Sequence, residues 1–218
     1  MKIRVVCISR TIAAGGEAVG ELVASRLGFR YVDEEIISLA ASQAQVDAAV
    51  VAAAEQRQPL LQRLLDKLPT AHDFAGAVTL GTGVPVDIFT GSVVEYRTVP
   101  DDMRALIRAA IHEVARAGEA VIVAHAASMA LAGSEGVLRV LVTAPPAVRA
   151  KRLAAAQGLD AAAADDSIAS SDRERRDYLK RFYAMKEELP THYDVVINTE
   201  VLGAEQAAAL VVAAATAL

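Results

Sequence analysis

The chain has 218 residues, with 22 Lys plus Arg against 27 Asp plus Glu, giving a formal net charge of −5. Its 54% hydrophobic content is mainly Ala, Val, Leu and Ile, which supports one aliphatic core and excludes an intrinsically disordered chain. The acidic balance argues against nucleic-acid or anionic-membrane partners, and the single Cys7 excludes a disulfide framework or a Cys-based zinc site. The start, MKIRVVCIS, is too short and too strand-like for a signal peptide, no run reaches the length of a membrane span, and a cytoplasmic protein is expected.

Ile3 to Ser9 is a β-branched run short enough for a buried strand. After a Gly-containing loop, Glu17 to Leu27 repeats apolar residues at helical spacing, and Gly28 stands where a helix C-cap belongs. Phe29 to Val32 predicts a second strand ending at Asp33, and a helix runs from about Glu34 to Ser42. Residues 46–68 read as two helical pieces broken at Pro59, and residues 69–100, rich in Gly and Pro, as an inserted binding segment. Asp101 or Asp102 is expected to N-cap a helix to Ala117, stopped by Gly118.

Val121 to Ala124 and Val137 to Thr143 follow as strands, with Pro146 in the first turn of a helix that carries Arg149 and Arg152 and stops at Gly158. Residues 159–171, small and polar or Ala-rich, predict a flexible flap ahead of a charged helix from about Asp172 to Glu188. Tyr193 to Asn198 is the last strand, and Ala204 to Ala217 the closing helix, Ala-rich enough to suit a homodimer contact. Alternation of this kind predicts an α/β fold: three α/β/α layers around a parallel five-stranded sheet.

Ligands of such sheets bind at the carboxyl ends of strands, and the first of these is Ser9-Arg10-Thr11-Ile12-Ala13-Ala14-Gly15-Gly16-Glu17. Small residues before a helix start let backbone amides approach an anion. Against the GxxxxGK[ST] phosphate loop, Gly15 matches the second glycine, while Arg10, Gly16 and Glu17 replace the first glycine, the lysine and the hydroxyl residue. One match in four leaves two readings open, an anion cradle and a tightly packed strand-to-helix turn in which Glu17 favours the helix start.

The string ISRTIAAGGEAVGELVASRLGFRYVDEEII resembles the opening of the cytidylate kinase-like proteins, nucleoside monophosphate kinase relatives with a P-loop kinase fold. The resemblance continues through GEAVIVAHAASMAL, VLRVLVTAPPAVRAKRL, DRERRDYLKRFY and HYDVVINTEVLG, and so covers nearly the whole chain except residues 69–100. It implies a single domain over 1–218 with an acceptor-binding insertion at about 45–100 and a lid at about 157–180. It also implies phosphoryl transfer from ATP, with Mg²⁺, to a nucleoside monophosphate such as CMP, where the protein positions anions and neutralises charge.

In that frame Ser9, Thr11, Ala14, Gly15, Gly16 and Glu17 belong to the donor-phosphate loop, and Arg10 does part of the missing lysine's work. Asp33 and His125 face the acceptor. Asp172 belongs to the lid, whose Arg173, Arg175 and Arg176 close on the phosphates, or else lie on a solvated helix face. Arg149 and Arg152 suit either solvent or lid support; Asn198 and Thr199 suit donor-base contact or strand-end capping. Tyr178, Phe182 and Tyr183 read as core or lid-docking residues, Cys7 as an inert core residue, and His72-Asp73 as a weak metal or acid–base pair.

The family pattern often has Gly-Arg where this chain has Ala124-His125, and Gly and Ser where it has Ala13 and Ala14. These departures leave an alternative to the active kinase: a catalytically silent nucleotide- or phosphate-binding regulatory module. A third reading is an interaction protein without nucleotide binding.

Overall fold

A computed structural model of the protein describes residues 2–44, 77–80, 84–87, 100–123 and 126–218. The central sheet holds β1 (Val5–Arg10), β2 (Arg30–Val32), β5 (Ala120–Val123), β6 (Val137–Thr143) and β7 (Val195–Asn198). Their order is β2-β5-β1-β6-β7, every pairing is parallel, and the five-stranded α/β expectation holds. A separate antiparallel hairpin pairs β3 (Ala77–Leu80) with β4 (Val84–Asp87). The predicted helices at 46–68, together with His72-Asp73 and Ala124-His125, lie outside the described residues.

Period-two side-chain alternation divides each strand between two cores. Val6, Ile8, Val121 and Val123 face α1 (Gly16–Leu27) and α7 (Ala204–Ala217), meeting Val19, Val23, Ala207 and Val211. Val5, Cys7, Ala120 and Ile122 face α2 (Glu35–Ala44), α3 (Pro100–Ala117) and the short α4 (Ala127–Ala130), meeting Ile36, Ala40, Ile107 and Ile111. With both faces covered, the inner strands are apolar throughout rather than alternating, as parallel sheets require. Cys7 is fully buried, and burial pushes its thiol up to about 12, which fits the inert core role.

The helix C-caps fall as expected at Gly28 and Gly158, both in left-handed backbone, and Pro146 opens α5 (Pro146–Gln157). Two expectations change. Helix α3 begins at Pro100, so Asp101 and Asp102 fall within the helix rather than at its N-cap.

Residues 161–171 form no flap. They are the first half of one long helix, α6 (Ala161–Tyr183), whose N-cap Asp160 accepts from the Ala163 amide at 2.8 Å. Alanine's helix propensity and the burial of Ala164 and Ile168 against Ala150 and Leu153 of α5 explain the difference. None of the described helices is long and apolar enough to cross a membrane.

Candidate functional site

Because all five strands run one way, their carboxyl ends share one edge. Between β5 and β6, β1 is where the chain's winding reverses, the place where such sheets open a crevice. The β1–α1 loop occupies that crevice. Its first step continues the sheet: the Thr11 amide donates to the Val142 carbonyl at 3.2 Å, and the Thr11 hydroxyl reaches that of Thr143 at 3.3 Å.

A turn then closes as the Ala14 amide donates to the Thr11 carbonyl at 3.1 Å. Ala13 and Gly15 take left-handed backbone, at φ 58° and 82°. A glycine would adopt the first of these without the penalty a Cβ brings, which is why a glycine suits position 13. The chain then enters α1, whose opening amides have no partner inside the helix and carry its positive dipole end.

Three of the expected cradle residues are placed otherwise. The Thr11 and Ala14 amides are engaged within the protein, and the Ala14 side chain is buried. Ser9 is also buried, its hydroxyl 3.0 Å from that of Ser128, which in turn donates to the Cys7 carbonyl at 3.4 Å. Ser9 therefore supports the loop from beneath. The residues left to meet an anion are Gly15, Gly16 and Glu17.

Arg10 lies across that helix start. A Cβ at Gly16 would come within 2.6 Å of the Arg10 Cβ, so only glycine leaves room for the arginine stem. The Arg10 guanidinium pairs with Glu17 at 3.0 Å, while its Nε is buried without a hydrogen-bond partner. Glu17 thus turns toward Arg10 rather than into the helix start. Asp33, expected at the acceptor, stands just past β2, with the Tyr31 hydroxyl 3.5 Å from its carboxylate. Burial, then the negative charges of Asp33, Glu21 and Glu17, push the Tyr31 phenol up to about 12.

Helix α6 is fastened to this edge twice. Arg149 is 3% exposed; its guanidinium forks onto Asp172 at 3.0 and 2.6 Å, and it also donates to the Ala144 carbonyl at 2.8 Å and the Ile12 carbonyl at 3.5 Å. Asp172 is thereby committed to Arg149 rather than to a ligand, and Arg149 holds α6 instead of facing solvent. One turn on, Arg175 grips Glu188 at 2.8 and 2.6 Å and donates to the Arg10 carbonyl at 3.1 Å. Its guanidinium is filled by protein. Arg173 and Arg176 are exposed and form no ion pair among the described residues; Arg176, four residues after Asp172, shares its stripe of the helix.

The remaining candidates are structural. Arg152 donates to the Thr199 hydroxyl and carbonyl at 3.2 and 2.5 Å, and that hydroxyl donates to the Ala14 carbonyl at 2.7 Å. Asn198 accepts from the Glu200 amide at 2.9 Å, so both strand-end residues cap. Phe182 packs edge-on to Tyr178 at 4.7 Å, and the Arg104 guanidinium of α3 stands 5.8 Å from the Phe182 ring centre, so these rings dock the end of α6 on α3. Sequence reasoning missed Glu188, Tyr193 and Ser128, although Tyr193 stood inside the quoted string HYDVVINTEVLG and Ser128 inside GEAVIVAHAASMAL.

Two carboxylates here predict an acid limit. Burial pushes Asp194 up, but hydrogen bonds from the Arg139 side chain and amide outweigh it and hold it low; Glu188, buried beside Arg175, is held low likewise. A folded-state value below the unfolded one contributes stability that is full above the ordinary carboxylate range and lost as pH falls through the folded value. The melting temperature is therefore expected to be level at neutral pH and to drop below about pH 4. In a pH series of thermal melts, Asp194→Asn should lower the plateau and flatten the acid limb; an unchanged limb would remove Asp194 from this account.

A family model described as the cytidylate kinase-like family matches residues 5–201. The chain belongs to that family. The cytidylate kinase-like fold is also seen in solved structures. An uncharacterized protein from Eubacterium ventriosum ATCC 27560 aligns at TM-score 0.65 and 14% identity, over 99% of each chain. Shikimate kinase from Bacteroides thetaiotaomicron aligns at 0.51 and 13% identity, over 99% of each chain. Shikimate kinase from Acinetobacter baumannii in complex with shikimate aligns at 0.50 and 12%, over 99% of this chain and 94% of that one. At such identities the likeness is one of fold, that of small-molecule kinases. No curated protein matches the sequence.

Proposed function

We propose that this cytidylate kinase-like chain transfers the γ-phosphoryl group of Mg-ATP to a nucleoside monophosphate, CMP being the first candidate, in the cytoplasm. The observation that carries the reading is the uncapped start of α1 after Gly15, at the reversal point of the sheet, with the Arg10 guanidinium laid beside it. Fixed amides and a guanidinium in a crevice are what such chemistry asks of a protein, because positioning and charge neutralisation supply most of the catalysis.

In the step itself, an acceptor phosphate oxygen forms a bond to the γ-phosphorus while the bond to the β,γ-bridging oxygen breaks, and ADP leaves with that electron pair. Gly15, Gly16 and Glu17 amides and Arg10 would hold donor phosphates. Arg176, on the stripe shared with Asp172, is better placed than Arg173 to approach from the lid. Asp33 would face the acceptor sugar or base. The residues do not make a protein cage for a metal: no cluster of three His, Cys, Asp or Glu occurs among the described residues, and Glu17 is paired with Arg10. In this reading the divalent ion would arrive with ATP, as Mg-ATP.

The Arg10–Glu17 pair also supports the second reading, a silent nucleotide-binding module, since it sets a carboxylate beside the anion's path. Calorimetry with Mg-ATP and with CMP, followed by a coupled ADP-release assay, separates the two. Binding with CMP-dependent ADP release, lowered about 100-fold or more by Arg10→Ala, is the expected result. Binding without turnover would select the silent module, and no heat with either ligand would sink both.

A further inference from the structure

We infer that Glu188 and Tyr193 are positioning residues for the β1–α1 loop, holding the Arg175 guanidinium so that it fixes the Arg10 carbonyl where the strand turns into the loop. The inference deepens the kinase reading and rests on it for its consequence on phosphate binding.

Arg175 has five N–H donors in one rigid plane. Its Nε and Nη2 reach the two Glu188 oxygens at 2.8 and 2.6 Å, Nη2 also lies 3.4 Å from the Tyr193 hydroxyl, and Nη1 reaches the Arg10 carbonyl at 3.1 Å. The Tyr193 hydroxyl donates to the same Glu188 oxygen that takes Nη2. Glu188 thus fixes the guanidinium plane, and Tyr193 fixes Glu188. Tyr193 is itself buried and set by its neighbours: its amide donates to the Pro190 carbonyl at 3.1 Å, and the next amide, of Asp194, to the Arg139 carbonyl of β6 at 2.8 Å.

What the clasp holds is the peptide that begins the loop. The Arg10 carbonyl and the Thr11 amide belong to one rigid plane. Rotation of that plane would pull the Thr11 amide off Val142 and loosen the turn that Ala14 closes on Thr11. Those bonds set the left-handed steps at Ala13 and Gly15, and with them the direction of the α1 amides. A lysine at 175 would keep the charge but lose the fork that reaches Glu188 and Arg10 together.

The test is site-resolved amide hydrogen exchange on the intact protein, comparing Tyr193→Phe, which removes one hydroxyl, and Glu188→Gln with the parent. The Thr11 and Ala14 amides should exchange about tenfold faster relative to those of α7, the size expected when charge-assisted hydrogen bonds are weakened. Mg-ATP affinity by calorimetry should fall in step, and Arg175→Lys should show the same two changes. Unchanged loop exchange in both variants, or a rise shared equally by α7, would overturn the inference, since a merely structural role moves both regions alike. If the parent does not bind Mg-ATP the kinase reading fails separately, and the exchange ratio still decides the clasp.

Discussion

Replacing Arg149 with alanine is expected to destabilise the protein by about 3 kcal/mol, the lower end of what breaking a buried ion pair costs. The lower end applies because Asp172 keeps 23% exposure and can recover some water, whereas Arg149 at 3% cannot. Three groups lose partners at once: the Asp172 carboxylate and the Ala144 and Ile12 carbonyls. For a chain of this size the melting temperature should fall by about 6–12 °C. Arg149→Lys should recover only part, since an ammonium cannot fork onto Asp172 while holding Ala144. Pairing Arg149→Met with Asp172→Leu should recover the part of the loss that comes from the stranded Asp172 charge, but not the part from the Ala144 and Ile12 carbonyls, which still lack a donor. A single Arg149→Ala that melts within a degree of the parent would show that the pair fastens nothing.

Arg149 also marks the limit of what the sequence discloses. Three residues apart on one helix, Arg149 and Arg152 are indistinguishable as letters: either could face water. Their partners lie 23 and 47 residues away, at Asp172 and Thr199, and only tertiary packing brings them together. The same holds within the charged run of α6. Arg173, Arg175 and Arg176 read as equivalent cations, yet Arg175 alone turns toward the β1 end, where Glu188 and the Arg10 carbonyl fill it. Ser9 read as a loop residue because it stands at the strand's end; strand alternation sends it down onto Ser128 instead.

The framework was far more legible, because its signals are local. Short runs rich in β-branched or aromatic residues marked the five strands, Gly28 and Gly158 marked C-caps through their need for left-handed backbone, and Pro146 marked a helix start. The flap expectation at 159–171 failed for a physical reason. Small residues suit a mobile loop, but Ala161 to Ala164 behind a capping Asp160 are a helix start, made stable by docking Ile168 on α5. The helix is held twice more, at Asp172 and Arg175, so any closing motion must either carry α5 along or open the Arg149–Asp172 pair, and must release Arg175 from the Arg10 carbonyl.

Gly20 carries the second large effect. It lies in the middle of α1, where glycine is a poor helix former, and alanine there should gain about 1 kcal/mol of helix propensity. Packing opposes the gain. A Cβ at residue 20 would fall 2.6 Å from a Val123 methyl on β5 and 3.1 Å from the Tyr31 ring, so α1 lies against the sheet only because that atom is missing. Val123 is fully buried within a filled core, and its methyl cannot step aside without displacing its neighbours. Overpacking of this kind costs about 1–3 kcal/mol, and valine at position 20, with two further methyls, should exceed that range and leave little folded protein.

A double-mutant cycle in urea separates packing from propensity. Gly20→Ala and Val123→Ala should each destabilise alone, while the double variant should lose less than their sum by about 0.5–3 kcal/mol, because one deletion opens the space the other fills. Strict additivity would mean that the helix bends to accept the methyl and that close approach to Val123 is not what demands glycine. Since Tyr31 is the other neighbour, a shift of α1 would also move the ring that stands beside Asp33. Loss of acceptor affinity in soluble Gly20→Ala, with Mg-ATP affinity retained, is therefore the expected functional trace of the same contact.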